Sequence, residues 1–570
     1  MKVLGIIGRT DVPLAHDGSA ALIVDNEIVC AIEQERLTRS RYAMGQGCAA
    51  AAKACLDYAG LDLASVDRIA YGWICPEQGI WLNERILSSP EHTEIILPPD
   101  LFGYRTPPTI DFVQHHYAHA AATFMTSGFD SAAVLIVDGQ GEGESISLYH
   151  ARPDGIELLE SYPIDYSLGM YYGAASARAG LGWHPGPGKL MGLAPFGQVR
   201  ERLDFSFDPA TGRFILPRPI QQAIDDAPMP PSANEMGALW CYYFDDYHYP
   251  YRHEWQDEGQ PVHGYHIANY VDFAAMVQRT LEAIVEGLVV RLKNLTGEHN
   301  LALHGGCALN CTMNALLSRQ GTFERIYAFP AANDAGCSVG AALAVSAALE
   351  PWQTTRARLI APDLGFAHGE EEILAALARR RLIAERLPSD ELAQRVARDL
   401  ADNKICAWFR GRDELGPRAL GRRSFLANPT QRSNLGRLNV IKGREMWRPL
   451  APSILAEHAA EVLEGPLDPG IHRYMLGAAT IRESWRRRIP AVVHVDFTTR
   501  PHLVEQAHDG AYWQVIDGFR ALTGIPLVCN TSLNVAGQPL VHTPDDVLDV
   551  FLGRDDVQTL VIEDFYLTRP

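Results

Sequence analysis

Two histidines, His115 and His119, stand four residues apart in a segment whose pattern predicts a helix, so both imidazoles project from one face. Asp138 follows the apolar run 132–137 and enters a glycine-rich turn, which places its carboxylate where a strand opens into a cleft. Two imidazoles and one carboxylate suit iron, zinc or manganese and leave coordination positions open. The alternative is that the histidines only cap or pack a helix. The neighbouring Asp-Gly-Gln-Gly turn favours the metal site.

Two further residues could belong to this site. Asp334 begins a predicted helix, where it is either an ordinary N-cap or a fourth metal ligand. His16 lies in a loop after the first predicted strand; a lone loop histidine usually has no function, but one facing the cleft is the natural general base near neutral pH. Metalloprotease chemistry is excluded, because position 116 is histidine where the His-Glu-x-x-His motif requires glutamate.

Glycine-rich segments at the ends of predicted strands could bind phosphate. The segment 305–310 joins a strand to a helix, whose free N–H groups can bind an anion, although tight strand–helix packing also requires glycine. The segment 186–192 lacks the glycine spacing and the Ser or Thr of a P-loop, but its lysine could still reach a phosphate. The residues predicted to bind a nucleotide in the N-terminal domain are Gly139, Lys189, Gly192, Gly305, Gly306 and Asn310.

Basic residues concentrate in the C-terminal third of an otherwise acidic chain. Five arginines lie within 410–424, and three further cations follow within 442–448. Guanidinium groups match phosphate bidentately, so converging arginines indicate a densely anionic substrate, such as a nucleoside triphosphate with an acyl or carbamoyl phosphate. A solvated charged face is the alternative, but glycine and proline within the run disfavour a regular exposed helix. Arg500 and the segment 530–534 add another charge and neutral donors.

Alternating strands and helices must position these residues. Short apolar runs with glycine turns at their ends alternate with helical patterns, which predicts an α/β fold with parallel or mixed sheets covered by helices. The cleft is expected at the carboxyl ends of the strands. Residues 218–265 interrupt the pattern with proline, tyrosine, tryptophan and acid, which indicates an insertion with its own packing. A boundary near 351–362 predicts two domains, 1–355 and 360–570.

Length and composition limit the classes of protein. The 570 residues are 47% hydrophobic and predict two or three domains. Neither an apolar run of 18 residues nor a secretory signal is visible, so we expect a cytoplasmic protein with no membrane span. The ten cysteines are scattered without a C-x-x-C pair, which is typical of reduced thiols. The net charge of −19 argues against nucleic-acid binding.

Several ordered motifs together resemble the O-carbamoyltransferase family of the nodulation-factor, cephamycin and aminoglycoside enzymes. They extend over nearly the whole chain, from residue 16 to residue 534, and so many in one order are highly specific. The motifs are His16-Asp17-x-Ser19-Ala20, Glu35-Arg36-x-Thr38-Arg39, Gln114-His115-His116-x-x-His119-Ala120, Val137-Asp138-Gly139-Gln140-Gly141-Glu142, Gly188-Lys189-Leu190-Met191-Gly192-Leu193-Ala194, Gly416-Pro417-Arg418-Ala419-Leu420-Gly421, Trp447-Arg448-Pro449 and Asn530-Thr531-Ser532-x-Asn534.

The resemblance implies an actin/hexokinase-like N-terminal domain, similar to the threonylcarbamoyl transferases, and a YrdC-like C-terminal domain. It implies that carbamoyl phosphate and Mg²⁺-bound ATP form carbamoyl-adenylate in the second domain, and that the carbamoyl group then passes to a hydroxyl at the N-terminal metal site. By the resemblance His16 is the base, and His115, His119, Asp138 and Asp334 bind the metal, expected to be Fe²⁺. Asn530 is a further donor, predicted from its position after a strand. The residues expected to bind carbamoyl phosphate and ATP are Arg418, Arg423, Lys442, Arg448, Arg500, Asn530 and Ser532.

Relatives commonly carry Lys and His where this chain has Arg41 and Tyr42, a departure expected to alter acceptor contacts more than chemistry at the adenylate. The acceptor is expected to be a small hydroxyl-bearing natural product, as in antibiotic biosynthesis, and a homodimer is possible. Two other functions stay open at this point. A metabolite kinase of the actin/hexokinase-like fold would not need the C-terminal arginines, and a non-catalytic partner in tRNA modification is disfavoured by the −19 charge.

Overall fold

The structure is a computed structural model that describes residues 1–10, 15–74, 89–245, 270–349, 359 and 361–569. The predicted insertion is described over 218–245 only, and most of the predicted boundary at 351–362 lies outside the described residues. The described strands form three larger sheets of five, five and eight strands and two smaller sheets.

The first sheet is built from the N-terminal hairpin and three parallel strands. Its strand order is β3-β2-β1-β4-β5, with β1 antiparallel to β2 and parallel to β4. The turn Asp25-Asn26 closes the hairpin, and both residues have the positive φ that a tight two-residue turn requires. The elements of this unit are β1 (Lys2–Ile7), β2 (Ser19–Val24), β3 (Glu27–Glu33), α1 (Gln34–Thr38), α2 (Ala49–Tyr58), β4 (Arg68–Tyr71), α3 (Ser89–Ile96), α4 (Pro99–Phe102), β5 (Ile110–Phe112) and α5 (His115–Ser127).

The second sheet repeats the first. Its order is β8-β7-β6-β11-β12. Each of these strands takes the place of one strand of the first sheet, in the order β3-β2-β1-β4-β5. This duplicated arrangement is actin/hexokinase-like. The elements are β6 (Ala132–Val137), β7 (Glu144–Arg152), β8 (Gly155–Pro163), α6 (Leu168–Arg178), α7 (Gly186–Leu193), β9 (Ser206–Asp208), β10 (Arg213–Ile215), α8 (Arg218–Asp225), α9 (Ala233–Asp245), α10 (Val271–Thr296), β11 (Asn300–His304), α11 (Cys311–Gln320), β12 (Arg325–Ala328) and α12 (Cys337–Leu349).

Helices α5 and α12 pack closely against each other and against strands of the duplicated sheets. Helix α5 begins where the Gln114 side chain accepts the Tyr117 N–H at 2.7 Å. The helices cross so closely that a Cβ on Gly340 would lie 1.8 Å from the Ala118 carbonyl oxygen. Small residues at this crossing therefore bring the N-terminal turn of α5 beside the segment that precedes α12.

The C-terminal domain contains a mixed eight-stranded sheet of order β13-β23-β22-β14-β15-β21-β16-β20 and a small sheet β17-β18-β19. The predicted α/β fold class is thus confirmed in both domains. The elements are α13 (Glu370–Arg379), β13 (Glu385–Arg386), α14 (Ser389–Ala401), β14 (Cys406–Phe409), β15 (Arg423–Ala427), α15 (Ser433–Lys442), β16 (Ala451–Leu455), α16 (Ala459–Val462), β17 (Leu463–Glu464), α17 (Pro469–His472), β18 (Ala479–Ile481), α18 (Glu483–Arg486), β19 (Thr498–Thr499), β20 (His502–Val504), α19 (Gly510–Thr523), β21 (Leu527–Ser532), α20 (Pro544–Leu552), β22 (Thr559–Ile562) and β23 (Phe565–Thr568).

The described part of the predicted insertion packs into the main N-terminal core. Trp240 of α9 is fully buried, and its ring lies 4.9 Å from that of Tyr171 on α6 and 5.1 Å from that of Phe205. Aromatic burial of this kind is a large source of packing energy. Residues 218–245 therefore share the core of the N-terminal domain, which differs from the expectation of separate packing.

The two domains meet through hydrogen bonds and ion pairs. Arg36, fully buried, donates to the Gly416 carbonyl at 2.7 Å. Lys189 pairs with Glu445 at 2.8 Å. Arg418 donates to the Leu309 carbonyl at 3.0 Å. Charged residues of both domains are thus anchored across one interface.

Asp413 is a buried acid whose replacement tests this interface. Its carboxylate accepts the Phe366 N–H at 2.7 Å and lies 3.2 Å from His542 Nδ1. Burial alone would raise the pKa of Asp413, but His542, Arg423 and Arg36 outweigh burial and hold it well below its ordinary value. Ionised Asp413 therefore stabilises the fold above the unfolded pKa, and this contribution is lost as pH falls through the folded pKa.

We expect Asp413→Asn to lower the free energy of unfolding at pH 7 by about 3 kcal/mol, because the buried cations around it lose their partner. The difference from wild type should shrink as pH falls from about 5 towards 2, since the Asp413 carboxylate of the unfolded wild-type chain is then protonated before that of the folded protein. Urea unfolding across this pH range measures both effects. Asp555→Asn, at a fully exposed side chain paired with Arg569, is the control and should change stability little. A pH-independent difference would contradict the assignment.

Candidate functional site

All four predicted metal ligands converge in the N-terminal domain. His115 and His119 lie one turn apart on α5, Asp138 follows β6, and Asp334 precedes α12. The two Nε2 atoms are 3.1 Å apart, and the Asp138 carboxylate lies 3.2 Å from His119 Nε2 and 3.5 Å from His115 Nε2. Asp334 lies 3.7 and 3.8 Å from the same nitrogens. One ligand atom from each residue lies within 4.8 Å of the others.

Each of the two histidines uses its Nδ1 atom in a hydrogen bond away from the site. Its Nε2 lone pair therefore points towards that of the other histidine. His115 Nδ1 donates to the Gly72 carbonyl at 3.0 Å. His119 Nδ1 lies 2.6 Å from His304 Nδ1, which already accepts the Gly305 N–H at 2.9 Å, so His119 is the donor. Two lone pairs beside two carboxylates repel each other unless a cation lies among them. The donor set therefore fits a divalent metal ion such as iron, zinc or manganese.

The pKa values of these groups reflect the same crowding. Burial lowers the pKa of His119, but the charge of Cys337 and the hydrogen bond that the protonated ring donates to Asp138 raise it to about 9. Burial raises the pKa of Asp138, yet its hydrogen bonds to His115 and His119 hold it well below the ordinary value. Protons and a metal ion thus compete for the same donors.

Asp334 is not an N-cap. The residue at the cap position is Asn333, which makes no side-chain cap hydrogen bond, and the Asp334 carboxylate points to the two histidines instead. Of the two roles open from sequence, the geometry favours the fourth ligand.

Three residues around the metal site were not predicted. Glu142 is buried and accepts the backbone N–H of His115 at 3.0 Å, which fixes the start of α5. Cys337 also offers its sulfur within 4.8 Å of both ligand histidines. Its position three residues after Asp334, on the same side of a predicted helix, was a usable signal. His304 ends β11, and only tertiary contact brings it to His119.

His16, the predicted base, lies within electrostatic reach of the metal ligands. Its Nδ1 is 3.1 Å from the Asp17 carboxylate, and its ring lies 4.8 Å from that of His184. Burial lowers the pKa of His16, but Asp17, with smaller effects of Asp334 and Asp138, raises it to about 9. The two metal-site carboxylates therefore act directly on the imidazole.

The segment 305–310 supports the metal site and the packing around it. A Cβ on Gly305, whose φ is +85°, would lie 2.3 Å from the Val137 carbonyl oxygen, so close packing explains this glycine. The Gly306 N–H donates to Asp138 at 2.9 Å and orients that ligand. Asn310 caps α11 with its side chain. Of the two interpretations of this segment, its contacts favour packing, and nucleotide binding here stays a prediction.

Two other residues predicted to bind nucleotide face the C-terminal domain. Lys189 donates to Glu445 at 2.8 Å, and the Gly192 carbonyl accepts from His494 at 3.0 Å. The segment 186–193 is helical, which agrees with the exclusion of a P-loop. The Gly139 carbonyl, behind the metal site, accepts from a serine hydroxyl at 2.6 Å.

The predicted anion site is a cluster of cations, of which Lys442 is buried, Arg41 is exposed and the others are partly buried. Burial lowers the pKa of Lys442 well below its ordinary value, and the charges of Arg444, Arg448 and Arg41 lower it further. Burial likewise lowers the pKa of Arg418, with added effects of Arg500 and Arg448. Among the described residues, Glu445 is the only acid that forms an ion pair with the cationic cluster. The members are Arg41, Arg418, Lys442, Arg444, Arg448 and Arg500.

Two members of the cluster were not among the residues predicted to bind phosphate. Arg41 comes from the N-terminal domain, and Arg444 lies between the predicted Lys442 and Arg448. Arg41 belongs to the N-terminal domain, yet its charge lowers the pKa of Lys442 and of Arg448. Positive charge without balancing acid is unfavourable in a buried place and indicates an anionic ligand. Arg41, which stands where relatives commonly carry Lys, is therefore expected to affect this cluster as well as contacts with the acceptor.

Ser532 joins the cluster, whereas Arg423 and Asn530 do not face it as donors. Lys442 donates to the Ser532 hydroxyl at 2.9 Å. Arg423 is fully buried, donates to the Gly411 carbonyl at 2.9 Å and lies 3.7 Å above the Phe409 ring. The Asn530 amide donates to the Ala419 carbonyl at 3.0 Å and to a serine hydroxyl at 2.9 Å. The contacts of the last two are structural, and substrate binding by them stays a prediction.

A chain of contacts links the metal site to the cationic cluster. The His184 ring lies 4.8 Å from His16 and 6.0 Å from Tyr42. The Arg41 guanidinium lies 4.9 Å from the centre of the Tyr42 ring, and the charge of Tyr42 acts on the pKa of Arg418. The two sites are therefore neighbours across the domain interface.

Both halves of the chain match known family models. Residues 99–211 and 244–343 match the model described as Carbamoyltransferase N-terminus, and residues 397–569 match Carbamoyltransferase C-terminus. Nodulation protein NolNO of Sinorhizobium fredii (strain NBRC 101917 / NGR234) is 34% identical over 97% of this chain and 79% of that protein. Nodulation protein U of Rhizobium tropici is 28% identical over 98% of this chain and 94% of that protein. Full-length HypF in its phosphate- and nucleotide-bound form is a solved structure with 13% identity, covering 61% of this chain and 56% of that chain at a TM-score of 0.36.

The fold and its two sites define an α/β enzyme with a metal-ion donor set in a duplicated domain and a cationic site in a second domain. The chain belongs to the carbamoyltransferase family, as its sequence motifs predicted, and it is a transferase. No helix among the described residues is both long enough and apolar enough to cross a bilayer.

Proposed function

We propose that this carbamoyltransferase activates carbamoyl phosphate with ATP in its C-terminal domain and transfers the carbamoyl group to an acceptor hydroxyl at the N-terminal metal site. The observation that carries the proposal is the cationic cluster around the buried Lys442, whose one ion-paired acid among the described residues is Glu445. Mg²⁺-bound ATP and carbamoyl phosphate together bring the negative charge that such a cluster requires.

The first step is the formation of carbamoyl-adenylate. Water cleaves carbamoyl phosphate to carbamate and phosphate, and a carbamate oxygen then attacks the α-phosphorus of ATP, from which pyrophosphate leaves. Arg418, Lys442 and Arg448 would hold the phosphate oxygens and stabilise the charge that develops on them. Lys442 is held in place for this role by the hydroxyl of Ser532 and by the Asn534 carboxamide oxygen at 2.6 Å.

The second step is carbamoyl transfer. The acceptor oxygen bonds to the carbonyl carbon, AMP leaves, and the hydroxyl proton passes to His16 as general base. His115, His119, Asp138 and Asp334 would hold a metal ion, expected to be Fe²⁺, which would supply Lewis-acid polarisation. Its charge would also offset the effect of the two carboxylates that raise the pKa of His16, which favours the unprotonated base.

The nearness of the two sites supports a route between them that excludes water. Carbamoyl-adenylate is a mixed anhydride that water destroys, so the carbamoyl group should not pass through bulk solvent. Arg41, Tyr42 and His184 lie between the cationic cluster and His16. Arg41, which stands where relatives commonly carry Lys, is proposed to hold the adenylate phosphate during transfer.

The proposal also names a class of acceptor and a compartment of the cell. The acceptor is proposed to be a hydroxyl-bearing natural product, as in the biosynthesis of an antibiotic, and the site of action the cytoplasm, where ATP and carbamoyl phosphate are made. Formation of carbamoyl-adenylate is assigned to domain 360–570, and carbamoyl transfer to domain 1–355.

Two assays test the proposal. Purified enzyme with ATP and Mg²⁺ should release pyrophosphate only when carbamoyl phosphate is present. Incubation with a panel of natural-product alcohols should give a product heavier by one carbamoyl group, detected by mass spectrometry. Acceptor-dependent release of ADP without a carbamoylated product would instead establish a kinase.

A further inference from the structure

His304 is placed to control the protonation pattern of a metal ligand. It is fully buried at the end of β11, and its Nδ1 lies 2.6 Å from His119 Nδ1. The same Nδ1 accepts the Gly305 N–H at 2.9 Å. An imidazole nitrogen that accepts from the backbone has no hydrogen of its own, so the proton between the two histidines belongs to His119.

The His304 ring is held rigidly in this orientation. It stacks on Phe329 with the ring centroids 5.5 Å apart and the planes 17° from parallel. On its other edge lies Gly336, where a Cβ would come within 2.8 Å of His304 Nε2. A larger residue at position 336 would push the ring out of place.

His119 needs such a partner because a competing arrangement is close at hand. Its Nε2 lies 3.2 Å from the Asp138 carboxylate, which would readily accept a proton placed on that nitrogen. In that tautomer His119 has no Nε2 lone pair for a metal ion. The other ligand histidine, His115, is held by the Gly72 backbone carbonyl, so its tautomer does not depend on a side chain.

We propose that His304 is a positioning residue that holds His119 in the tautomer and orientation in which Nε2 binds the metal ion. The inference rests on the proposed metal-dependent transfer. Outer partners of this kind are usually carboxylates, carbonyls or water. A neutral imidazole does the same task without adding negative charge to a site that already contains two carboxylates.

The test compares two substitutions in the full-length enzyme. His304→Phe keeps the aromatic stack on Phe329 but removes the acceptor, whereas His304→Asn retains an oxygen near the place of Nδ1. Metal-free protein is loaded with Co²⁺, whose affinity is measured by chelator competition and whose geometry is read from visible d–d absorption. H304F should bind Co²⁺ about 10- to 100-fold more weakly with a changed spectrum, and H304N should stay within about 3-fold of wild type.

Two controls separate a local effect from misfolding. His472→Phe replaces another fully buried histidine whose Nδ1 donates to a backbone carbonyl, and it should leave Co²⁺ affinity unchanged. Carbamoyl-phosphate-dependent pyrophosphate release should continue in H304F, because that step belongs to the other domain. If H304F does not fold, H304L provides a second acceptor-free variant for the same measurement.

Each outcome either supports or contradicts the positioning role of His304. Wild-type affinity and spectrum in H304F, or equal losses in H304F and H304N, would overturn the positioning role while the metal site stands. If wild type binds Co²⁺ no more tightly than His119→Ala, the metal part of the proposed function fails and the role of His304 fails with it.

Discussion

Replacing His119 with alanine is expected to stop carbamoyl transfer while carbamoyl-phosphate-dependent pyrophosphate release continues at close to the wild-type rate. His119 contributes a ligand nitrogen 3.1 Å from that of His115, so its loss leaves the metal ion with fewer donors. Lewis-acid stabilisation is worth several kcal/mol, and about 4 kcal/mol corresponds to a loss of about 10³-fold in transfer. The activation step is unaffected because His119 contributes no group to the cationic cluster.

Transfer is measured as carbamoylated product by mass spectrometry, and activation as pyrophosphate, in the same reaction mixture. His299→Ala is the matched control, since this exposed histidine pairs with Glu324, at 2.7 Å, and should keep both activities. The metal content of each variant should follow transfer. A parallel loss of both activities in H119A would show that the two steps are not separate.

Replacing Arg418 with methionine is expected to weaken nucleotide binding strongly without destabilising the ligand-free enzyme. A hydrogen bond to a charged group is worth about 1.5–3 kcal/mol, so the Kd for ATP should rise roughly 10- to 150-fold. Burial and the charges of Arg500 and Arg448 lower the pKa of Arg418, which shows that its charge is unfavourable where it lies. Removing that charge offsets the lost hydrogen bond to Leu309, so thermal stability should stay constant or rise.

The control for this prediction is Arg437→Met. Arg437 also donates to a backbone carbonyl, that of Asn403 at 3.1 Å, but it lies outside the cationic cluster. Its replacement should leave ATP affinity unchanged and lower thermal stability slightly. Calorimetric titration with ATP and a thermal melt of each variant are sufficient. If R418M melted several degrees lower and kept its ATP affinity, Arg418 would be an interface residue only.

Local patterns predicted the elements that carry the metal ligands. The helix expected to carry His115 and His119 is α5, and the strand expected over 132–137 is β6 with the same bounds. These predictions succeed because helix periodicity and a continuous apolar run depend on neighbouring residues. His115, His119 and Asp138 could be assigned because each lies at the end or on one face of such an element.

Contacts between distant parts of the chain were not predictable. His304 meets His119 across 185 residues, and Arg41 acts on a cluster that begins at Arg418. Arg423 was expected to bind phosphate because it lies in an arginine-rich motif, yet its guanidinium donates to backbone carbonyls beside Phe409. Charge type is visible in sequence, but the direction of a long side chain depends on what packs around it.

The sequence by itself determined the chemical identity of this protein: its ordered motifs indicated the family, and the types and spacing of His115, His119 and Asp138 indicated a metal site. The tertiary structure decided which groups act together. It brought the Asp334 carboxylate to the two histidines, as the family resemblance implied, set His304 beside His119, and brought Arg41 of the first domain near the cations of the second. The reason is physical: ligand types and helical spacing are local, whereas electrostatic coupling falls off within several ångströms and exists only after the chain has folded.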